Sequence, residues 1–222
     1  MILWFILLFT QCEASTSLQS RTFVLIVAGQ SNTHYGFSYD RSKDTIDFSQ
    51  VLQIPSYNAG LVTAVREGDI RHFSKQTDKI GFITRAAVKF RDNHVGKGDR
   101  VVIIPAGAGG SGWADYVYQR DNHWRPNGKF FQDLVARINF ARDQLLGEFS
   151  ALLWHQGETD AWRQTKNYRY ILQTFIATMR EHIGDFKCPF VLGEMVEVWV
   201  KGVPERLKVQ VSRRLILIQR HK

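Results

Sequence analysis

Cysteine is scarce in this sequence. Cys12 and Cys188 are the only two among 222 residues, too few to staple a disulfide scaffold or to hold a zinc ion. Cys188 lies between Lys187 and Pro189 at the start of an apolar run, so it reads as a buried structural thiol rather than a nucleophile. The sequence also lacks low-complexity tracts, internal repeats and Gly/Ser/Pro linkers, which excludes fibrous, repeat and largely disordered architectures. The apolar stretch at residues 1–9, MILWFILLF, falls far short of the ~20 residues that span a bilayer. No integral membrane span is expected. What is present suits one globular domain. Hydrophobic residues make up 44% and charged residues 23%, enough for a sizeable core at this length.

The N-terminal run, followed by Cys12-Glu13-Ala14, fits a signal peptide and its cleavage site, although no Lys or Arg precedes it. The expectation is a leader at 1–14, a single domain at 15–222, and export to a secreted, lumenal or periplasmic location. The formal net charge is +8, and the surplus is uneven. Residues 201–222 carry seven basic side chains against Glu205 alone, a surplus of six. No aromatic residue is interleaved after Trp199 and no nucleic-acid motif occurs. The tail therefore reads as solvated basic surface, with no nucleic-acid partner.

Phe23–Val27 is a continuous apolar run rich in β-branched residues, the pattern of a strand buried on both faces. Val101–Ile104, ending at Pro105, Ala151–Trp154 and Phe190–Leu192 repeat it, and Leu61–Val65 is a fifth candidate. Between them lie three helical stripes. The first is Phe82, Ile83, Ala86, Ala87 and Phe90, closed by Gly96 and Gly98. The second runs from Phe131 to Leu145, and the third from Tyr168 to Met179. Strands alternating with helices predict an α/β fold with a mostly parallel sheet covered on both sides. Residues 33–60 and 106–129 read as long loops, a length often reserved for function.

In open parallel sheets, ligands bind outside the carboxyl ends of the strands. Three polar, glycine-bearing segments follow three strands here. They are Gly29-Gln30-Ser31-Asn32, Gly107-Ala108-Gly109-Gly110-Ser111-Gly112-Trp113, and His155-Gln156-Gly157-Glu158-Thr159-Asp160. Such a set suits acyl transfer. A serine attacks the carbonyl, and fixed N–H donors hold the negative charge that develops on its oxygen. Ser31, a glycine of 107–110 and the Gln156 amide could supply these parts.

At these residues the sequence resembles the SGNH hydrolases of the sialate O-acetylesterase and carbohydrate esterase family 6 type. Gln30-Ser31-Asn32 is similar to the nucleophile block, Gly109-Gly110-Ser111 to the block whose glycine donates to the oxyanion, and His155-Gln156-Gly157-Glu158 to the third block. The likeness runs from about Phe23 to about Val200. It implies a three-layer αβα sandwich with a flavodoxin-like sheet, no cofactor and no metal, and removal of acetyl groups from sugars such as sialic acid. An acetylated carbohydrate is the implied partner. Ser31 is then the nucleophile, Gly110 and Gln156 are oxyanion donors, and Gln30, Asn32, Gly109, His155 and Glu158 are supporting residues. One departure stands out. The family takes its base from an Asp-x-x-His near the C-terminus, whereas no aspartate follows Asp185 and the last histidine is His221, with Ile218 where the acid would stand. The tail from about Val203 is atypical. The resemblance thus implies an esterase scaffold with reduced turnover, or an inactive carbohydrate-binding relative.

Plainer roles compete at several positions. Ser31 could cap the helix after its turn. Gln30 and Asn32 read as braces of that turn, and Glu158 as a buried hydrogen-bond anchor. His155 reads as structural or substrate-contacting. His72 sits in Asp69-Ile70-Arg71-His72, the missing spacing in the wrong place, and reads as a loop brace. His94 and His123 read as surface or loop residues. Trp113 and Trp124 fit a sugar pocket or the core equally. Gly107–Gly112 also matches G-x-G-x-x-G, with Asp133 at a suitable distance. However, a dinucleotide site needs a helix to start at once, and Pro126-Asn127-Gly128 interrupt the region.

Overall fold

The structure, a computed structural model, describes residues 20–38, 40, 42, 45–66, 69–74, 79–113 and 121–193. The expected leader at 1–14 and the tail at 203–222 lie outside the described residues.

The strands are β1 (Thr22–Gly29), β2 (Phe37–Ser38), β3 (Val51–Gln53), β4 (Thr63–Ala64), β5 (Lys79–Ile80), β6 (Arg100–Gly107), β7 (Glu148–His155) and β8 (Phe190–Leu192). The helices are α1 (Ser31–His34), α2 (Phe82–His94), α3 (Lys129–Gln144), α4 (Glu158–Trp162) and α5 (Tyr168–Ile183). Six strands form one sheet in the order β4-β3-β6-β1-β7-β8. All its pairs are parallel except β3–β4. β2 and β5 form a separate antiparallel pair. This is the α/β class expected, with helices on both faces of a mostly parallel sheet.

The continuous apolar runs have a simple cause. Along β1, Val24, Ile26 and Ala28 face a core shared with α3 and α5, while Leu25 and Val27 face a core shared with α2. A central strand with both faces covered has no polar face to display. Each such side chain contributes about 1.5–3 kcal/mol of burial. The helical stripes become the inner faces of α2, α3 and α5, except that Phe82 at the start of α2 is exposed. Gly184, left-handed at φ 81°, ends α5. Cys188 is buried and free, with its thiol pushed up to about 11 by that burial.

Three expectations change. β6 does not stop at Pro105 but continues to Gly107. Pro105 is tolerated because its carbonyl points to the β3 side, where β3 has already ended, and accepts instead from Ser56 Oγ at 2.9 Å and Arg137 Nη1 at 2.8 Å. No strand there asks for the missing N–H. The run at 61–65 yields only the two-residue edge β4. β3 escapes the apolar pattern because it ends in a fully buried Gln53. That side chain donates to Asp69 O at 2.6 Å and accepts from Arg71 N at 2.9 Å.

Candidate active site

β1 lies at the centre of the sheet, and its last residue is in register with the last residues of both neighbours. Gly29 pairs with Gly107 of β6 on one side and His155 of β7 on the other. The chain leaves β1 toward β3 and β6, then crosses back to β7. The carboxyl end of β1 is therefore a topological switch point, where neighbouring connections diverge and leave a crevice. Backbone bonds tie the three ends together. Gln30 N donates to His155 O at 2.9 Å, and Ala108 N to Gly29 O at 3.0 Å. Gly29 is required by this closeness. At φ 133° it is in a region open to glycine, and a Cβ there would collide with the carbonyl of His155.

Ser31 is the first residue of α1 and is partly exposed. Gln30, not Ser31, occupies the cap position, and no side-chain cap bond forms. The Ser31 hydroxyl has no hydrogen-bond partner among the described residues, so it is not spent as a cap. The residues beside it brace the turn. Gln30 Oε1 accepts from Gly157 N at 3.4 Å and Thr159 N at 3.2 Å, linking the first segment to the third. Asn32 Nδ2 donates to Glu158 Oε1. His155 Nε2 lies 4.0 Å from the same oxygen, and neither it nor Glu158 Oε2 has a hydrogen-bond partner among the described residues. Glu158 is thus an anchor between α1 and the end of β7.

The second segment carries Gly109 and Gly110. Gly110 is exposed, with φ 64°, and its N–H has no acceptor among the described residues. Ser111 is fully buried beneath it. Its hydroxyl donates to Gly29 O at 3.3 Å and accepts from Trp124 Nε1 at 2.8 Å.

Gln156, six per cent exposed, is brought to this floor with its amide engaged by protein groups. Both hydrogens are taken, by Ser111 O at 3.2 Å and Asp160 Oδ2 at 2.6 Å, and its oxygen accepts from Tyr168 at 3.0 Å. A buried carboxylate is a strong acceptor, so donation from Gln156 to a substrate oxygen would exchange one of these bonds. Asp160 is the residue that sequence reasoning undervalued. Fully buried, it also accepts from Trp113 N and from Thr165 Oγ1 at 2.6 Å, fastening the second segment to α4.

Two histidines stand behind the turn. His34, three residues after Ser31, is buried beside His72, with ring centroids 5.9 Å apart. Burial lowers His34 to about 4 and His72 to about 3, so both are neutral at pH 7. His72 is the brace expected, accepting from Gly107 N at 2.9 Å. His34 carried no sequence signal beyond its closeness to Ser31. His94 is exposed as expected, but His123 is buried, packed against the backbone at Gly128. Trp113 and Trp124 belong to the aromatic core with Trp154 and Phe175. No helix begins within 107–113, and the next helix among the described residues begins at Lys129. The dinucleotide alternative needs a helix that starts at once in this glycine segment, and none starts within its described residues. Among the described residues, no helix is long and apolar enough to cross a membrane.

Among solved structures the chain is similar to NanS, at 19% identity and TM-score 0.68, covering 90% of this chain and 76% of that one. It is similar to a protein from Arabidopsis thaliana at 17% identity and TM-score 0.61, covering 79% and 74%. A third match is a carbohydrate acetylesterase from Xanthomonas citri, at 15% identity and TM-score 0.53, covering 85% and 46%. These likenesses concern the fold. No curated protein sequence matches the chain. The family described as carbohydrate esterase, sialic acid-specific acetylesterase matches residues 21–219. With that match over nearly the whole chain, on an α/β sheet of the expected kind, the chain belongs to the sialic acid-specific acetylesterase family of carbohydrate esterases, which are serine esterases acting on O-acetylated sugars.

Proposed function

We propose that Ser31 is the nucleophile of this carbohydrate O-acetylesterase, and that the N–H groups of Ser31 and Gly110 hold the oxyanion. The observation that supports this reading is the three-way register at Gly29, from which the Ser31 turn and the segment carrying Gly110 leave neighbouring strand ends, with the Ser31 hydroxyl unpartnered among the described residues. Ser31 Oγ attacks the acetyl carbonyl, and the sugar alcohol leaves as the carbonyl re-forms. Water then releases acetate from Ser31. Preorganised donors at the developing charge are each worth ~10²–10³ in rate.

The proton from Ser31 needs an acceptor; the resembled family takes it from an Asp-x-x-His, and residues 186–222 hold no aspartate. Binding and oxyanion stabilisation alone leave ~10³–10⁴ over the uncatalysed rate when a triad member is lost. The leader at 1–14 would place the domain in a secreted or lumenal compartment.

Purified protein given an aryl acetate and an O-acetylated sialic acid should hydrolyse both above buffer, and a fluorophosphonate should label Ser31. Ser31→Ala should abolish both. A Ser31→Ala variant that matches the parent, with both above buffer, removes Ser31 from the chemistry. That residues 186–222 hold no aspartate favours one rival reading, a carbohydrate binder without catalysis. Sugar binding with no Ser31-dependent hydrolysis would support that rival.

A further inference from the structure

We infer that His72-Phe73-Ser74 is a splint for the oxyanion-side turn, and that His72 and Ser74 are positioning residues for the esterase reaction. The inference rests on the Ser31 site proposed above and adds two residues that the three sequence blocks leave out.

Three hydrogen bonds join this segment to the turn. Gly107 N donates to His72 Nδ1 at 2.9 Å, Ser74 N donates to Gly107 O at 3.1 Å, and Gly109 N donates to Ser74 Oγ at 2.8 Å. Between the two polar residues, Phe73 is set into the core. Its ring lies 4.6 Å from that of Phe130, 5.1 Å from Tyr57 and 6.0 Å from Trp124, and the Arg137 guanidinium sits 5.2 Å from its centroid. The splint is therefore nailed at its midpoint and bonded at both ends.

The rest of the turn is held from other sides. Ala108 N donates to Gly29 O at 3.0 Å, and Ser111 N to Ala108 O at 3.2 Å. From 107 to 111, Gly110 is the one residue whose N–H has no acceptor among the described residues. A Gly-Gly peptide has little conformational preference of its own, so its outer bonds must select which way the Gly110 N–H points. Gly109 sits one peptide away, and its N–H is fixed by Ser74. Without Ser74 Oγ that N–H loses its bond to the splint, and the turn that leads into Gly110 is less firmly held. His72 acts one step earlier. Because Nδ1 accepts, the neutral ring keeps its proton on Nε2, and the end of β6 is pinned where the turn begins.

The test compares Ser74→Ala with Ser74→Thr, which keeps a hydroxyl, and His72→Leu with His72→Asn, which keeps an acceptor near Nδ1. The readouts are the rate of Ser31 labelling by a fluorophosphonate, kcat and KM for an aryl acetate, and amide hydrogen exchange at Gly107 and Gly109. Ser74→Ala and His72→Leu should slow labelling and kcat by ~10- to 100-fold with KM within about twofold, because the effect is on donor placement. The threonine and asparagine variants should recover most of the rate. Ser74→Ala should speed exchange at Gly109, and His72→Leu at Gly107. If His72→Leu does not fold, Ser74→Ala, a single-atom deletion at a half-buried position, decides alone. A labelled parent with Ser74→Ala labelled equally fast, or a loss confined to KM, overturns the splint. A folded parent that takes no label at Ser31 overturns the nucleophile reading and the positioning role with it.

Discussion

Asp160 ties three parts of the site together. Its carboxylate receives Trp113 N, Gln156 Nε2 and Thr165 Oγ1, and it has no exposed surface. Deleting it strands several buried donors at once, and each unsatisfied donor costs about 1–3 kcal/mol. Asp160→Ala should destabilise the fold by about 3 kcal/mol or more, read as a lower urea midpoint. It should also free the Gln156 amide to swing. Gly29 shows a different sensitivity. Its positive φ and its contact with the His155 carbonyl leave no room for a methyl group. Gly29→Ala should fail to give soluble, cooperatively unfolding protein, checked by expression and circular dichroism, since backbone strain at such a site belongs to the large-effect class.

Elements are tied to one another mostly at the ends that form the site. α3 sends Arg137 into the interior, where it meets Asp133 at 2.6 Å and donates to Pro105 O and Ile54 O. One helix thereby fixes the end of β6 and the chain just past β3. Burial raises the Asp133 carboxyl above its usual range, against the pull of Arg137. Removing the cation alone leaves an uncompensated buried acid, which costs about 3–5 kcal/mol. Arg137→Ala should lose that much stability in denaturant unfolding. The double change Asp133→Asn with Arg137→Met should lose clearly less, because no charge is left buried. If the single and double variants were equally unstable, the ion pair would not be the source of the effect.

At the scale of the molecule, the two cores on either face of the sheet set stability, and the buried histidines set how it responds to acid. In the unfolded chain His34 and His72 titrate near 6.5, whereas the fold holds them at about 4 and about 3. Below pH 6.5 the unfolded chain binds protons that the folded one refuses. Stability is therefore fully present above that pH, falls as pH drops from 6.5 toward 4, and levels once the folded groups titrate. The slope is at most ~1.4 kcal/mol per pH unit for each histidine. Urea midpoints measured from pH 7.5 to 4.5 should fall accordingly, and His72→Asn should flatten the curve. Much of this architecture was legible beforehand. β1, β6, β7 and the three long helices announce themselves because a strand covered on both faces must be continuously apolar and a helix must repeat its inner face every 3.6 residues; β8 shows the same apolar run although it is an edge strand with Val191 half exposed. The order of the three polar segments after their strands was equally plain. Which way a side chain bonds was not. Gln156 turns to Ser111 and Asp160, His72 reaches Gly107, and Gln53 holds a strand that no apolar pattern marked. Periodicity reports only which face is buried, whereas a hydrogen bond is chosen by neighbours far away in sequence, and those meet only when the sheet has closed.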